Sequence, residues 1–221
     1  MKDGFDPNEI RSLDGLEGIR MRPQMYVGDV QDPATITTLL QEATCLALDN
    51  VVTECASCMR INLNSDGSAS IRDDGPGLDF QTGKHGHSAV DDVFTRLYAC
   101  REGKKEKLHS QEVCGVGIVV TNALSEWLTY EATHDGCLWR QEYEAGVAKG
   151  GIQDLGPTNE TFQEVRFKPD ERIFGTHQVS SSMFIQWFQE LSIPLGQTSI
   201  ELHASDGTMT QLNSNAVCHD D

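Results

Sequence analysis

The sequence predicts a two-layer α/β fold, with helices packed against a mostly antiparallel sheet. Three observations lead there. Apolar residues recur at helical spacing across 33–50. An alternating hairpin follows and ends in the turn Ile71-Arg72-Asp73-Asp74-Gly75-Pro76-Gly77-Leu78. From residue 125 the chain reads as a meander of short strands bounded by Asp-Gly, Ala-Gly and Pro turns.

Residues 1–12 read as an extended polar arm carrying Phe5 and Ile10. A short helical turn near Gly15 then runs into a proline-broken loop, Arg20-Met21-Arg22-Pro23-Gln24-Met25-Tyr26-Val27-Gly28-Asp29. Asp32-Pro33 is a helix start, an N-cap followed by proline at the first helical position. Ile36, Leu39, Leu40, Ala43, Leu46 and Ala47 form the apolar stripe of that helix. Met59, Ile61 and Leu63, then Ala69 and Ile71, alternate as two strands joined at Asn64-Ser65-Asp66-Gly67. Val90, Val93, Phe94 and Leu97 mark a second helix over 88–99. Residues 100–112 are polar, charged and without periodicity, the pattern of a lid or a disordered loop. Beyond them, strands are expected at 127–132, 138–144, 164–168, 198–203 and 208–212. A third helix over 180–192 carries Phe184, Trp187, Phe188 and Leu191, a stripe expected in the core.

At 221 residues, with no convincing linker inside 12–212, one domain is the simplest organisation: an arm at 1–12, a domain at 13–212 and a loose tail at 213–221. The formal charge of -17 argues against a broad basic face for nucleic acid, since phosphate contact needs clustered Lys and Arg. No run of 18 apolar residues exists, so no membrane span is expected, and the N-terminus lacks the apolar core of a signal peptide. A cytoplasmic protein is the default expectation. The seven cysteines are scattered, and Cys55-Ala-Ser-Cys58 is a single pair without a second, so structural or free thiols are expected rather than a zinc site. His85-Gly-His87 sits in a glycine-rich loop, and no metal is assigned to it.

Candidate chemistry gathers at three places. The Asp73 turn brings a carboxylate and two glycines to a sheet edge, where glycine permits positive φ and close backbone approach to a ligand. A buried aspartate there can accept from an exocyclic amine, although an ordinary strand-to-loop turn has the same pattern. Glu42, Leu46 and Asp49 share one side of the first long helix, so a carboxylate can face that turn if the helix packs beside it. Val113-Cys114-Gly115-Val116-Gly117 opens an apolar helix and suits either a phosphate cradle or tight packing of helix on sheet.

In this order the arm, the Arg-x-Arg-Pro-x-Met-Tyr-Val-Gly-Asp loop, the Glu-bearing helix, Asp-Asp-Gly-x-Gly, the lid, Gly-Val-Gly and Asn-Ala-Leu resemble the N-terminal ATP-binding domain of the DNA gyrase B and topoisomerase IV B subunits. These are GHKL proteins with the Bergerat fold, and the likeness covers about residues 5–212. It implies a mixed, mostly antiparallel sheet with the three long helices on one face, and an ATP site. In that site Asp73 holds adenine, Gly77 assists through water, and Leu78 and Val93 line the pocket. Glu42 is the general base, and Val113, Gly115, Val116 and Gly117 wrap the phosphates from the lid. Gly75 belongs to the same turn as Asp73, and Arg140 matches an arginine at the pocket mouth. The resemblance also implies a dimer or a gyrase B partner engaged through the arm.

Departures from the family pattern carry their own expectations. Leu46 stands where the family has a magnesium-binding asparagine, and leucine offers no oxygen to a hard cation. Cys45 replaces a neighbouring aspartate, Glu112 adds negative charge beside the triphosphate, and Phe5 lacks a tyrosine hydroxyl. Gln163 stands where a threonine lies near the adenine and can substitute for it. Adenine nucleotide binding with weak or no magnesium-dependent hydrolysis is therefore expected; an active ATPase module or a non-enzymatic dimerisation module are the alternatives. The second domain and the DNA-binding regions of the family are not expected within these residues.

Overall fold

A computed structural model describes residues 15–81, 86–97 and 117–214. The arm, most of the lid, and Val113, Gly115 and Val116 lie outside the described residues. Among those described, nine strands form one sheet: β1 (Cys58–Leu63), β2 (Ala69–Asp73), β3 (Ser125–His134), β4 (Cys137–Glu144), β5 (Val147–Ala148), β6 (Gln153–Pro157), β7 (Gln163–Pro169), β8 (Ser199–His203) and β9 (Met209–Ser214). They lie in the order β5-β4-β3-β7-β2-β1-β8-β9, with β6 also on β4. Only the β1–β8 pair is parallel among them. The expected mixed, mostly antiparallel sheet is what forms.

Register sorts the side chains. Because strand side chains alternate, one face carries Leu63, Ala69, Phe167, Leu128 and Tyr143 in a row across five strands. Two residues along lie Ile61, Ile71, Val165 and Tyr130, and two further Met59, Asp73, Gln163, Ala132 and Trp139. The first two rows are apolar core; the third brings two polar side chains into it. The opposite face carries Arg140, Glu131, Glu164, Arg72, Arg60 and Glu201 on consecutive strands. Arg140 pairs with Glu131 at 2.6 Å, Arg60 with Glu201 at 3.5 Å and Arg72 with Glu164 at 3.8 Å.

The helices are α1 (Gly15–Met21), α2 (Gln24–Val27), α3 (Thr35–Val52), α4 (Ala89–Thr95), α5 (Ile118–Ala123), α6 (Glu171–Phe174) and α7 (Ser181–Gln189). The stripe of α3 is buried through Ile36, Leu39, Leu40, Ala43, Ala47, Leu48 and Val51, and it packs on β2 and β7. Its first turn departs from expectation: regular helix begins at Thr35, with Ala34 at the cap position. Asp32 does not cap the helix; its Oδ1 accepts from Ala34 N at 2.9 Å and closes a turn just ahead of it. Helix α4 is shorter than expected and starts with a capping box: Ser88 Oγ accepts from Asp91 N, and Asp91 Oδ2 accepts from Ser88 N. The short strands β5 and β6 and helix α6 were not anticipated. The mostly exposed, glycine-containing β6 carries no alternation; pairing with β4 makes it a strand.

Candidate functional site

The third core row is where the site begins. Asp73 and Gln163 are cross-strand partners on the face covered by α3, and only 2% and 3% of their surface is exposed. Asp73 Oδ1 accepts from Asn50 Nδ2 at 2.8 Å and from Gly75 N at 3.0 Å, and Oδ2 accepts from Gln163 Nε2 at 2.9 Å. Burial pushes the Asp73 carboxyl up to about 7, against the three hydrogen bonds that favour its charged form.

Gln163 is held at its other end by Tyr130, whose Oη lies 2.9 Å from Gln163 Oε1. Tyr130 Oη in turn accepts from Leu78 N at 2.8 Å. Burial holds this phenol protonated far above its ordinary range, so it donates to Gln163. That fixes the amide: oxygen towards the tyrosine, nitrogen towards Asp73.

Both turn glycines are required, but for packing rather than for φ, since neither has a positive φ. A Cβ on Gly75 would lie 2.5 Å from Asn50 Nδ2, and one on Gly77 would overlap Ala132 Cβ. Leu78, at the end of the turn, and Val93, on α4, are each half-buried against the core.

Near the middle of α3, the buried Glu42 places Oε2 2.8 Å from Gly117 N, the residue that opens α5 with φ 90. Glu42 and Asn50 are eight residues apart, so about 12 Å of helix separates the two. Leu46 lies between them, half-buried against the core.

No family model matches the chain. It is 35% identical over 193 residues to the DNA gyrase B subunit of Archaeoglobus fulgidus, covering 85% of this chain and 30% of that protein. The gyrase B subunit of Thermotoga maritima is 32% identical over 199 residues, covering 89% and 31%. The DNA topoisomerase IV B subunit of Staphylococcus aureus is 35% identical over 175 residues, covering 78% and 26%. Among solved structures, the 43K ATPase domain of Thermus thermophilus gyrase B, in complex with an aminocoumarin, superposes with TM-score 0.76 at 27% identity, covering 92% of this chain and 52% of that one. The chain is a homologue of the DNA gyrase B and topoisomerase IV B subunits. Its fold is the GHKL fold of the gyrase B ATPase domain. The chain spans between a quarter and a third of the length of the curated relatives it matches.

Of the expected site residues, the structure gathers Asp73, Gly75, Gly77, Leu78 and Gln163 towards the Asn50 end of α3, and Glu42 and Gly117 beside the middle of that helix. Arg140 lies elsewhere: it alternates with Trp139 on β4 and pairs with Glu131 on the opposite face of the sheet. Asn50 and Tyr130 were not singled out from the sequence. The signal for Asn50 was its spacing, since residues 42, 46 and 50 form one stripe of α3. Tyr130 is two residues from Ala132 on the same strand face, which becomes visible only once the β3–β7 register is known.

Among the cysteines, Cys45 and Cys58 are disulfide-bonded, while Cys55 and Cys137 are free. The Cys55-x-x-Cys58 pair is therefore not closed on itself.

Proposed function

We propose that this domain binds an adenine nucleotide, with the base on Asp73 and the phosphates towards Gly117, and hydrolyses it weakly or not at all. The observation that carries the reading is the buried Asp73 carboxylate, held by three donors yet with acceptor capacity left on Oδ2, at a turn whose glycines admit close approach. The roughly 12 Å between Asn50 and Glu42 along α3 suits a base beside the first and a terminal phosphate beside the second. Glu42, which accepts from Gly117 N, presents a carboxylate near that end, the kind of group that orients a water for attack on a phosphate.

The described residues do not fit magnesium. Leu46 has no side-chain oxygen and Cys45 is disulfide-bonded, so neither offers a side-chain oxygen ligand. A cation that demands oxygen ligands in octahedral array finds no such set along this helix stripe. Without that neutralising charge the nucleotide is held more than it is turned over.

Retained turnover is the second reading, favoured by the placement of Glu42 against Gly117. Association with a second copy or with a gyrase B partner through residues 1–12 belongs to the same proposal; those residues lie outside the described ones. The deciding experiment is calorimetric titration with a non-hydrolysable ATP analogue, with and without magnesium. Binding indifferent to magnesium is expected, and Leu46→Asn should introduce magnesium dependence together with measurable hydrolysis. Magnesium-dependent binding by the natural chain would favour the active ATPase instead. Absence of binding under both conditions would remove the nucleotide.

A further inference from the structure

We propose that the disulfide at Cys58 is closed with Cys218, strapping the last residues of the sequence to the charged face of the sheet beside β1. The bond is independent of nucleotide binding, because it lies on the face away from Asp73 and α3.

The cysteines leave few possible partners. Cys58 is disulfide-bonded, whereas Cys55 and Cys137 are free. Met59 is buried in the core beneath α3, so Cys58, one residue earlier on β1, points to the opposite face with Arg60. Cys45 is buried on α3, so the strands stand between it and Cys58. Cys100 and Cys114 lie three residues from Leu97 and Gly117, a span of about 10 Å at most. Leu97 packs on the core beside Gly15, and Gly117 bonds Glu42, about 12 Å short of the Asn50 end of α3. Both tethers start in the helix layer and fall short of a cysteine on the far face at the first residue of β1. Cys218 is within reach. Strand β9 runs back towards the start of β1: Cys58 is opposite Ser199 on β8, and Ser199 is opposite Ser214 on β9. Two strand spacings, roughly 10 Å, separate Ser214 from Cys58, and the four residues to Cys218 span up to about 14 Å. That brings the two α-carbons within the roughly 6 Å a disulfide needs. Charge agrees, since Asp220 and Asp221 follow Cys218 while Arg60 and Arg72 share the face of Cys58. Closing the bond joins the two sulfurs and takes one proton and one electron from each thiol; a small-molecule disulfide accepts them and leaves as two thiols.

The test is disulfide mapping of the whole chain after equilibration with oxidised glutathione, with remaining thiols blocked by N-ethylmaleimide before digestion. Cleavage after Lys, Arg and Glu should release residues 55–60 joined to residues 202–221, and reduction should separate the two peptides. Fragmentation should place the link on Cys58 and the maleimide on Cys55. Maleimide or glutathione on Cys218, or a link from Cys58 to Cys45, Cys100 or Cys114, overturns the proposal. Stability gives an independent reading. A bond closing so long a stretch of chain restricts the unfolded state, so its loss lowers the urea midpoint. Cys58→Ser and Cys218→Ser should each lower that midpoint, and the double variant should lower it no further than either single one. Losses that add in the double variant show that the two cysteines act separately, which also overturns the pairing.

Discussion

Gly77 shows how a single residue couples the turn to the sheet. No side chain fits there, because the backbone passes so close to β3 that an added Cβ would overlap that of Ala132. Gly77→Ala forces the Asp73 turn away from β3 and strains the Leu78 N–Tyr130 hydrogen bond. A loss of about 1–3 kcal/mol is expected, as for overpacked cores, measured by urea unfolding. A variant as stable as the parent would show that the turn can shift freely. The glycine pattern was legible in the sequence, but its reason was not: a freedom of φ was expected, whereas close approach is what the packing demands. Asn50 teaches the same lesson. Its spacing from Glu42 and Leu46 is visible in the sequence, yet its partner is 23 residues away on a strand.

Among the elements, α1 has the most informative attachment. Arg20, from the most distinctive stretch of the sequence, donates to Ala123 O at 2.6 Å at the end of α5 and to Asp170 Oδ2 at 2.5 Å. Asp170 caps α6 through Arg172 N and also receives the Arg172 side chain. Burial works to raise the Asp170 carboxyl, but the hydrogen bonds from Arg172 and Arg20 outweigh it and hold the group well below the carboxylate range. One guanidinium thus ties three helices together beside the sheet, which is a structural duty. Arg20→Met should cost about 1.5–3 kcal/mol, the worth of hydrogen bonds to a charged group, and leave nucleotide affinity within about two-fold. Chemical denaturation paired with calorimetry checks both halves. A large loss of affinity at unchanged stability would reassign Arg20 to the site.

Over the whole molecule, the buried Asp73 makes stability depend on pH in an unusual direction. Its folded-state value of about 7 lies above the 3.8 of the unfolded chain, so between those values the folded protein holds a proton that the unfolded chain has released. Its contribution is fully present below about 3.8 and lost as pH rises through about 7. Asp170 has the opposite sign: its contribution is present above 3.8 and lost as pH falls below it. Replacing Asp73 by Asn should therefore stabilise the protein, relative to the parent, more at about pH 7.5 than at about pH 5. Urea midpoints at the two pH values measure this; a difference that does not change with pH would show that Asp73 stays ionised throughout.

By itself, the sequence determined the two-layer class, the main helices and strands, the family likeness and the candidate residues Glu42, Asp73, Gly75, Gly77 and Gln163. Periodicity and turn chemistry are local, and a short stretch of chain carries them. Tertiary structure alone decided which of those residues meet. Strand register put Gln163 beside Asp73, turned Arg140 to the far face and brought Tyr130 over the amide; the packing of α3 carried Asn50 to the carboxylate and Glu42 to Gly117. The same register made β6 a strand that no local pattern announces. The physical reason is that hydrogen-bond partners dozens of residues apart leave no periodic trace in the chain, and only the folded sheet sets the distance between them.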